Sequence, residues 1–130
     1  LNAAVQAQPS WDGIGLDARA AIMNRLAEIM SRDRFKTLHV LRRIGNKAIP
    51  DGDGEVSEAI DFARYYARHA APPEGTQSRP LGTVAVVSPW NFPYAIPAGG
   101  VIAALMAGNS VVLKPAPSTA AIAWHLANQL

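Results

Sequence analysis

Two short apolar runs, Val84 to Val87 and Val111 to Leu113, stand either side of an apolar segment of helical length, and this order constrains the 130-residue chain most tightly. Neither run alternates apolar with polar side chains, so each reads as a strand covered on both faces, as in a parallel sheet. Between them Pro97 suits a first helical turn, and Val101-Ile102-Ala103-Ala104-Leu105-Met106-Ala107 fills a short helix. Gly108-Asn109 then supplies residues that tolerate a left-handed backbone at its end. Beyond Lys114-Pro115, Ser118 can cap a helix running to the end of the chain. The order strand, helix, strand, helix predicts a βαβ crossover with two parallel neighbours whose carboxyl ends share one edge. Open α/β sheets bind their ligands at that edge.

The first strand runs directly into Ser88-Pro89-Trp90-Asn91-Phe92-Pro93. Two prolines fix φ at their own positions and push Ser88 and Phe92 away from helical conformations, so the loop is held. Asn91 stands between them with a carboxamide that can donate two hydrogen bonds without carrying charge. Such a donor, fixed in advance, suits an oxyanion developing on a carbonyl. The same Pro-Trp-Asn-Phe-Pro also fits a tight turn with its rings in the core. Lys114, predicted at the same edge, can donate to ribose hydroxyls or attract phosphate, or can simply be solvated. No Gly-x-Gly-x-x-Gly follows either strand, so the usual dinucleotide fingerprint is absent.

The N-terminal half reads as helical. Asp17 can cap a helix with apolar positions Ile22, Leu26, Ile29 and Met30, and Arg34 to Asn46 places Phe35, Leu38, Leu41 and Ile44 at intervals of three. Arg32, Lys36, Arg42, Arg43 and Lys47 form a basic cluster, which fits a solvated or subunit-contacting face or a phosphate-binding surface. Pro50-Asp51-Gly52-Asp53-Gly54 predicts a turn before a third helix over Glu55 to His69, with a buried stripe of Val56, Ala59, Ile60, Ala63 and Ala67. Phe62, Tyr65 and Tyr66 lie beside that stripe and read as packing residues. Pro72-Pro73 breaks the helix, and Gln77 to Pro80 links it to the first strand.

Composition narrows the function classes. A formal charge of +2 is too small to imply nucleic acid, although the pI is near 9.3. His39, His69 and His125 lack metal-ligand spacing. No apolar stretch is long enough to cross a membrane and no leader pattern opens the chain, so a cytoplasmic or mitochondrial protein is the expectation. With 49% hydrophobic residues the chain can bury a core, as one domain or part of one.

Val87-Ser88-Pro89-Trp90-Asn91-Phe92-Pro93, followed by Ala107-Gly108-Asn109-Ser110-Val111-Val112-Leu113-Lys114-Pro115-Ala116, resembles the aldehyde dehydrogenase superfamily in wording and spacing. Upstream, Glu55 to Ala67 resembles the branch that oxidises L-glutamate γ-semialdehyde, including the dehydrogenase half of bifunctional proline-utilisation enzymes. Trp11 and Arg19-Ala20-Ala21-Ile22 fit the family's first helices. The resemblance implies an aldehyde-dehydrogenase-like α/β fold: N-terminal helices over about 1–75, then the first βαβα of a Rossmann-like parallel sheet over about 81–130, with the catalytic domain outside the chain.

It also implies roles. Asn91 would be the oxyanion-hole amide and Phe92 would line the aldehyde tunnel. Ser88, Pro89 and Trp90 would sit along NAD, and Lys114 would hydrogen-bond its adenine ribose. Many members carry a glutamate three residues after that lysine; here the position is Pro117, which leaves NADP open. The family's reaction begins with a cysteine thiolate, and the chain has no cysteine. The expected reading is therefore a fragment, inactive alone, of an NAD(P)-dependent enzyme that oxidises L-glutamate γ-semialdehyde. Its implied partners are the small aldehyde substrate, further copies of itself in a homo-oligomer, and a fused or separate proline dehydrogenase. Another semialdehyde dehydrogenase, or a non-catalytic scaffold with the same fold, are the alternatives.

Overall fold

The computed structural model describes residues 1–130. Helices α1 (Asn2–Gly13), α2 (Leu16–Arg32), α3 (Arg34–Gly45) and α4 (Ile49–His69) precede β1 (Thr83–Val87), α5 (Ala95–Met106), β2 (Ser110–Lys114), a 3-10 turn (Pro117–Thr119) and α6 (Ala120–Ala127). The strands pair in parallel from Thr83 with Ser110 to Val87 with Lys114, so the expected strand, helix, strand, helix order stands.

The core forms where helical stripes meet. Met23, Leu26, Ala27 and Met30 of α2 face Val56, Ala59, Ile60 and Ala63 of α4, with Tyr94, Ala98, Ile102 and Met106 from the α5 region completing the cluster. The stripe expected on α2 is rotated: Met23 and Ala27 are buried while Ile22 is exposed. On α3 only Leu38 and Leu41 of the four expected apolar positions are buried, and Phe35 is 83% exposed. Steps of three residues drift about 60° each against the helical period, so Phe35 and Ile44 fall on opposite sides.

The turn expected at Pro50–Gly54 is helix instead, the first part of α4. Pro50 lies in the first turn, where a missing N–H breaks no bond. Gly52 is buried, and a β-carbon there would press on the Leu38 side chain at 3.3 Å; the glycine serves close packing of α4 on α3 rather than a turn. The expected caps also differ. Gly15, at φ 83°, precedes α2 and leaves Asp17 within the first turn, while Thr119 precedes α6 and Ser118 lies in the 3-10 turn.

Helix α5 lies between α4 and the sheet at unusually short range. β-Carbons at Gly99 and Gly100 would come within 2.9 Å of Phe62 and Val86 respectively, so this pair of glycines lets the helix touch both neighbours. β1 is not covered on both faces as expected: Val84 and Val86 are half-buried, but Ala85 is exposed and Val87 is 69% exposed, whereas Val111, Val112 and Leu113 of β2 are all half-buried. A two-stranded sheet that packs α5 against one face leaves the alternate side chains open.

The C-terminal end of α5 is closed by side chains from far upstream. Trp11 donates its indole N–H to the Leu105 carbonyl at 2.8 Å, Arg19 donates to Met106 at 3.2 Å, and Gln8 donates to Gly108 at 3.0 Å. Gly108 takes the expected positive φ, 83°. Asn109 is buried and bridges the Ala104 carbonyl and the Gly82 N–H, tying the helix end to the start of β1.

Candidate functional site

β1 delivers the chain into the Ser88–Pro93 loop at its carboxyl end. The Ser88 N–H donates to the Lys114 carbonyl at 3.2 Å, one further rung beyond the Val87 and Lys114 pair. Lys114 and the loop therefore share one sheet edge, as the topology predicts. Ser88 is buried, Lys114 is exposed, and none of the chain's four ion pairs uses the Lys114 ammonium.

The loop crest faces outward. Pro89 and Asn91 are exposed, Trp90 is 68% exposed and Phe92 is 42% exposed, whereas Pro93 and Tyr94 are buried. A tight turn with its rings in the core is thus not what forms. Asn91 and Phe92 meet Lys47 at the α3–α4 junction.

There the structure supplies two residues that sequence reading had placed elsewhere. In sequence Lys47 belongs to a basic cluster and Glu55 to the start of a helix, yet in the fold they form a salt bridge in which the Glu55 side chain is fully buried. Lys47 also donates to the Asn91 backbone carbonyl at 2.8 Å, and its ammonium lies 4.0 Å from the centre of the Phe92 ring. Glu55 accepts from the amides of Tyr94 and Ala95 at 2.9 and 3.0 Å, which places a carboxylate on the positive end of α5. One sequence signal could have found them. Glu55 shares a helical face with Val56, Ala59 and Ile60, and a carboxylate on an apolar stripe needs a buried partner. Asn46, at φ 50°, ends α3 in a left-handed turn and directs the chain so that Lys47 can be that partner.

A cleft of about 310 Å³ opens beside this pair, lined by Lys47, Asp51, Gly54, Glu55, Glu58, Asn91 and Phe92. Lys47 and Glu55 neutralise each other, so the exposed carboxylates of Asp51 and Glu58 set the charge of its rim. A larger hollow of about 530 Å³ runs along the same helix past Phe62, Tyr65 and Tyr66. Phe62 stacks on Tyr66, Tyr66 meets Tyr65 edge to face and Tyr65 stacks on His69, as packing residues do, and none of these rings lines the Asn91 cleft.

Behind the loop sits a buried polar cluster. Tyr94 donates its hydroxyl to Gln129 at 2.7 Å, and Thr37 contacts His125 Nε2 at 2.9 Å. Burial pushes the Tyr94 hydroxyl well above its ordinary range and draws His125 below its ordinary value, with the nearby Lys36 charge adding to the latter. Both groups are neutral at pH 7, and Tyr94 directly follows the loop on the core side.

Proteins of known sequence and structure resemble this chain over nearly its whole length. It is 42% identical over 124 residues to the bifunctional protein PutA of Escherichia coli (strain K12), covering 95% of this chain and 9% of that protein. It is 38% identical over 143 residues to the 1-pyrroline-5-carboxylate dehydrogenase of Geobacillus thermodenitrificans (strain NG80-2), covering all of this chain and 28% of that one. The chain thus spans about a tenth to a quarter of the length of these curated relatives. Among solved structures, 1-pyrroline-5-carboxylate dehydrogenase from Thermus with bound NAD superposes with a TM-score of 0.87 at 28% identity, over 97% of this chain and 27% of that one. The pattern described as the aldehyde dehydrogenase family matches residues 1–130 from end to end, and with the fold and the loop in place this chain belongs to that family.

Proposed function

We propose that this chain is part of the dinucleotide-binding domain of an NAD(P)-dependent dehydrogenase that oxidises L-glutamate γ-semialdehyde to L-glutamate. The observation that carries the reading is the cleft: it places the exposed Asn91 and the Phe92 ring beside the carboxylates of Asp51 and Glu58. A neutral amide donor suits a carbonyl oxygen that gains negative charge, and an acidic rim suits a substrate that also carries an ammonium group. The likeness to 1-pyrroline-5-carboxylate dehydrogenases supports the same choice.

The roles follow from these positions. A thiolate from beyond this segment attacks the aldehyde carbon, and the carboxamide NH2 of Asn91 donates to the oxygen as the tetrahedral adduct forms. Phe92, fixed beside Lys47, lines the approach. Ser88, Pro89, Trp90 and Lys114 would hold the dinucleotide: the Lys114 ammonium stands exposed at the carboxyl edge without a carboxylate partner, where a ribose or phosphate can take it up. Bound NAD(P)+ would supply the hydride acceptor, and water would then hydrolyse the resulting thioester to the carboxylate and free the thiolate. With no cysteine of its own, this segment supplies positioning and no nucleophile. A homo-oligomer and a fused or separate proline dehydrogenase complete the proposed assembly.

The test is to assay the full-length gene product with glutamate semialdehyde against propanal and succinate semialdehyde, following NADH. We expect the highest kcat/KM for glutamate semialdehyde; equal or lower values than for the others would sink the substrate. Asp51→Asn with Glu58→Gln should raise KM for glutamate semialdehyde about 10-fold and leave KM for propanal within about two-fold.

A further inference from the structure

Lys47 and Glu55 between them hold Asn91 and the residues that follow it. The Lys47 ammonium binds the Asn91 carbonyl and lies against the Phe92 ring, and Glu55 binds the amides of Tyr94 and Ala95. The carboxylate divides its oxygens: one takes Lys47, the other takes both amides. Residues 91, 92, 94 and 95 are therefore held by a single ion pair, and Pro93 between them has its φ fixed by its own ring. With the carbonyl of Asn91 and the amides of Tyr94 and Ala95 fixed from outside, the path of the backbone that carries the Asn91 side chain is set by the α3–α4 junction.

We propose that Lys47 and Glu55 are positioning residues, which hold the loop so that the Asn91 carboxamide is already in place when charge develops on the substrate oxygen. The inference rests on the oxyanion reading of Asn91 given above. A preorganised donor works because its orientation is fixed before the reaction, and the groups that fix it need not touch substrate. The ion pair suits this task. The Glu55 side chain is fully buried and that of Lys47 is 14% exposed, so neither can swing out without leaving an unpaired charge or two unpaired amides behind. Lys47 also reaches the loop through a backbone carbonyl and a ring face, which leaves the Asn91 carboxamide itself unused for holding.

The experiment uses the full-length product. Lys47→Met with Glu55→Met removes both charges together, takes away the acceptor of the Tyr94 and Ala95 amides and keeps the side-chain bulk. We expect kcat to fall about 10- to 100-fold while KM for NAD stays within about two-fold. In an Asn91→Ala background the same two substitutions should cost less than about three-fold, because both routes pass through one group. Lys47→Arg, which keeps a cation at the loop, should lose less than Lys47→Met. Hydrogen exchange at the Tyr94 and Ala95 amides should quicken at least about 10-fold in the double variant.

Unchanged kcat in the double variant beside a strongly impaired Asn91→Ala enzyme would overturn the positioning role and leave the reading of Asn91 intact. So would a full multiplicative loss in the combined variant. Asn91→Ala with undiminished kcat would overturn the oxyanion reading instead, and the hold on the loop would then be judged by exchange alone. Unaltered protection at Tyr94 and Ala95 overturns it. Should the double variant fail to fold, the native protein decides: these two amides must exchange as slowly as the interior amides of α5, and exchange at the rate of exposed loop amides sinks the proposal.

Discussion

The two ends of α5 solve the same problem in different ways. The carbonyls at and just past its C-terminal end are closed by Trp11, Arg19, Gln8 and Asn109, four side chains from three stretches of chain. Its N-terminal amides, on the side of the site, depend on one carboxylate, Glu55, and that carboxylate depends on one lysine. Helix ends need partners for their unpaired groups at both termini, and both ends here match the helix dipole in sign. What differs is redundancy. The scaffold end is held many times over, and the end that presents Asn91 hangs on a single buried pair.

That contrast can be broken by substitution. Glu55→Ala strands the Lys47 charge and leaves two buried amides without an acceptor, so it should cost about 3–5 kcal/mol, seen as a fall in the unfolding temperature of the full-length product. Arg19→Met at the other end should cost about 1–3 kcal/mol, because Trp11, Gln8 and Asn109 remain. If Arg19→Met costs more than Glu55→Ala, the redundancy argument is wrong. Trp11→Phe keeps the ring and loses one hydrogen bond to Leu105; about 1 kcal/mol is expected by the same measurement.

The smallest effect concerns the polar cluster behind the loop. Burial lowers the His125 pKa below its ordinary 6.5, so the unfolded chain takes up this proton first as pH falls. The stabilisation from keeping His125 neutral is thus present above about pH 6.5 and is lost as the medium is acidified from there towards the lower folded value. Stability of the native protein should decline across that window, and His125→Gln should flatten the decline. A slope unchanged by the substitution would show that other groups govern it.

Much of this was legible in the residues, for reasons that can be named. Strands, the α5 segment and the Gly108-Asn109 stop rest on local rules of burial and backbone geometry, which act over a few residues. The placement of Lys114 beside the loop followed from strand order alone. What was not legible depends on contacts between distant parts. Pro50–Gly54 carries every local mark of a turn, yet it is helix because Gly52 fits against Leu38 and Leu41. Phe35 looked like core because its spacing from Leu38 is helical, but no neighbour covers that side of α3. Lys47 reads as one more surface cation until the position of Asn91 is known.

The bonds that close the far end of α5 join residues 87 to 100 positions apart, from Arg19 to Met106 and from Gln8 to Gly108. Contacts of such long range form late, since loop closure must precede any gain from them. During synthesis α1 therefore emerges long before its binding place exists, and α5 cannot be seated until the first and last quarters of this segment have met. A lesion in the opening helix, remote from the loop in sequence, would then show itself as slow or failed maturation of the site and not as weak binding in the finished protein.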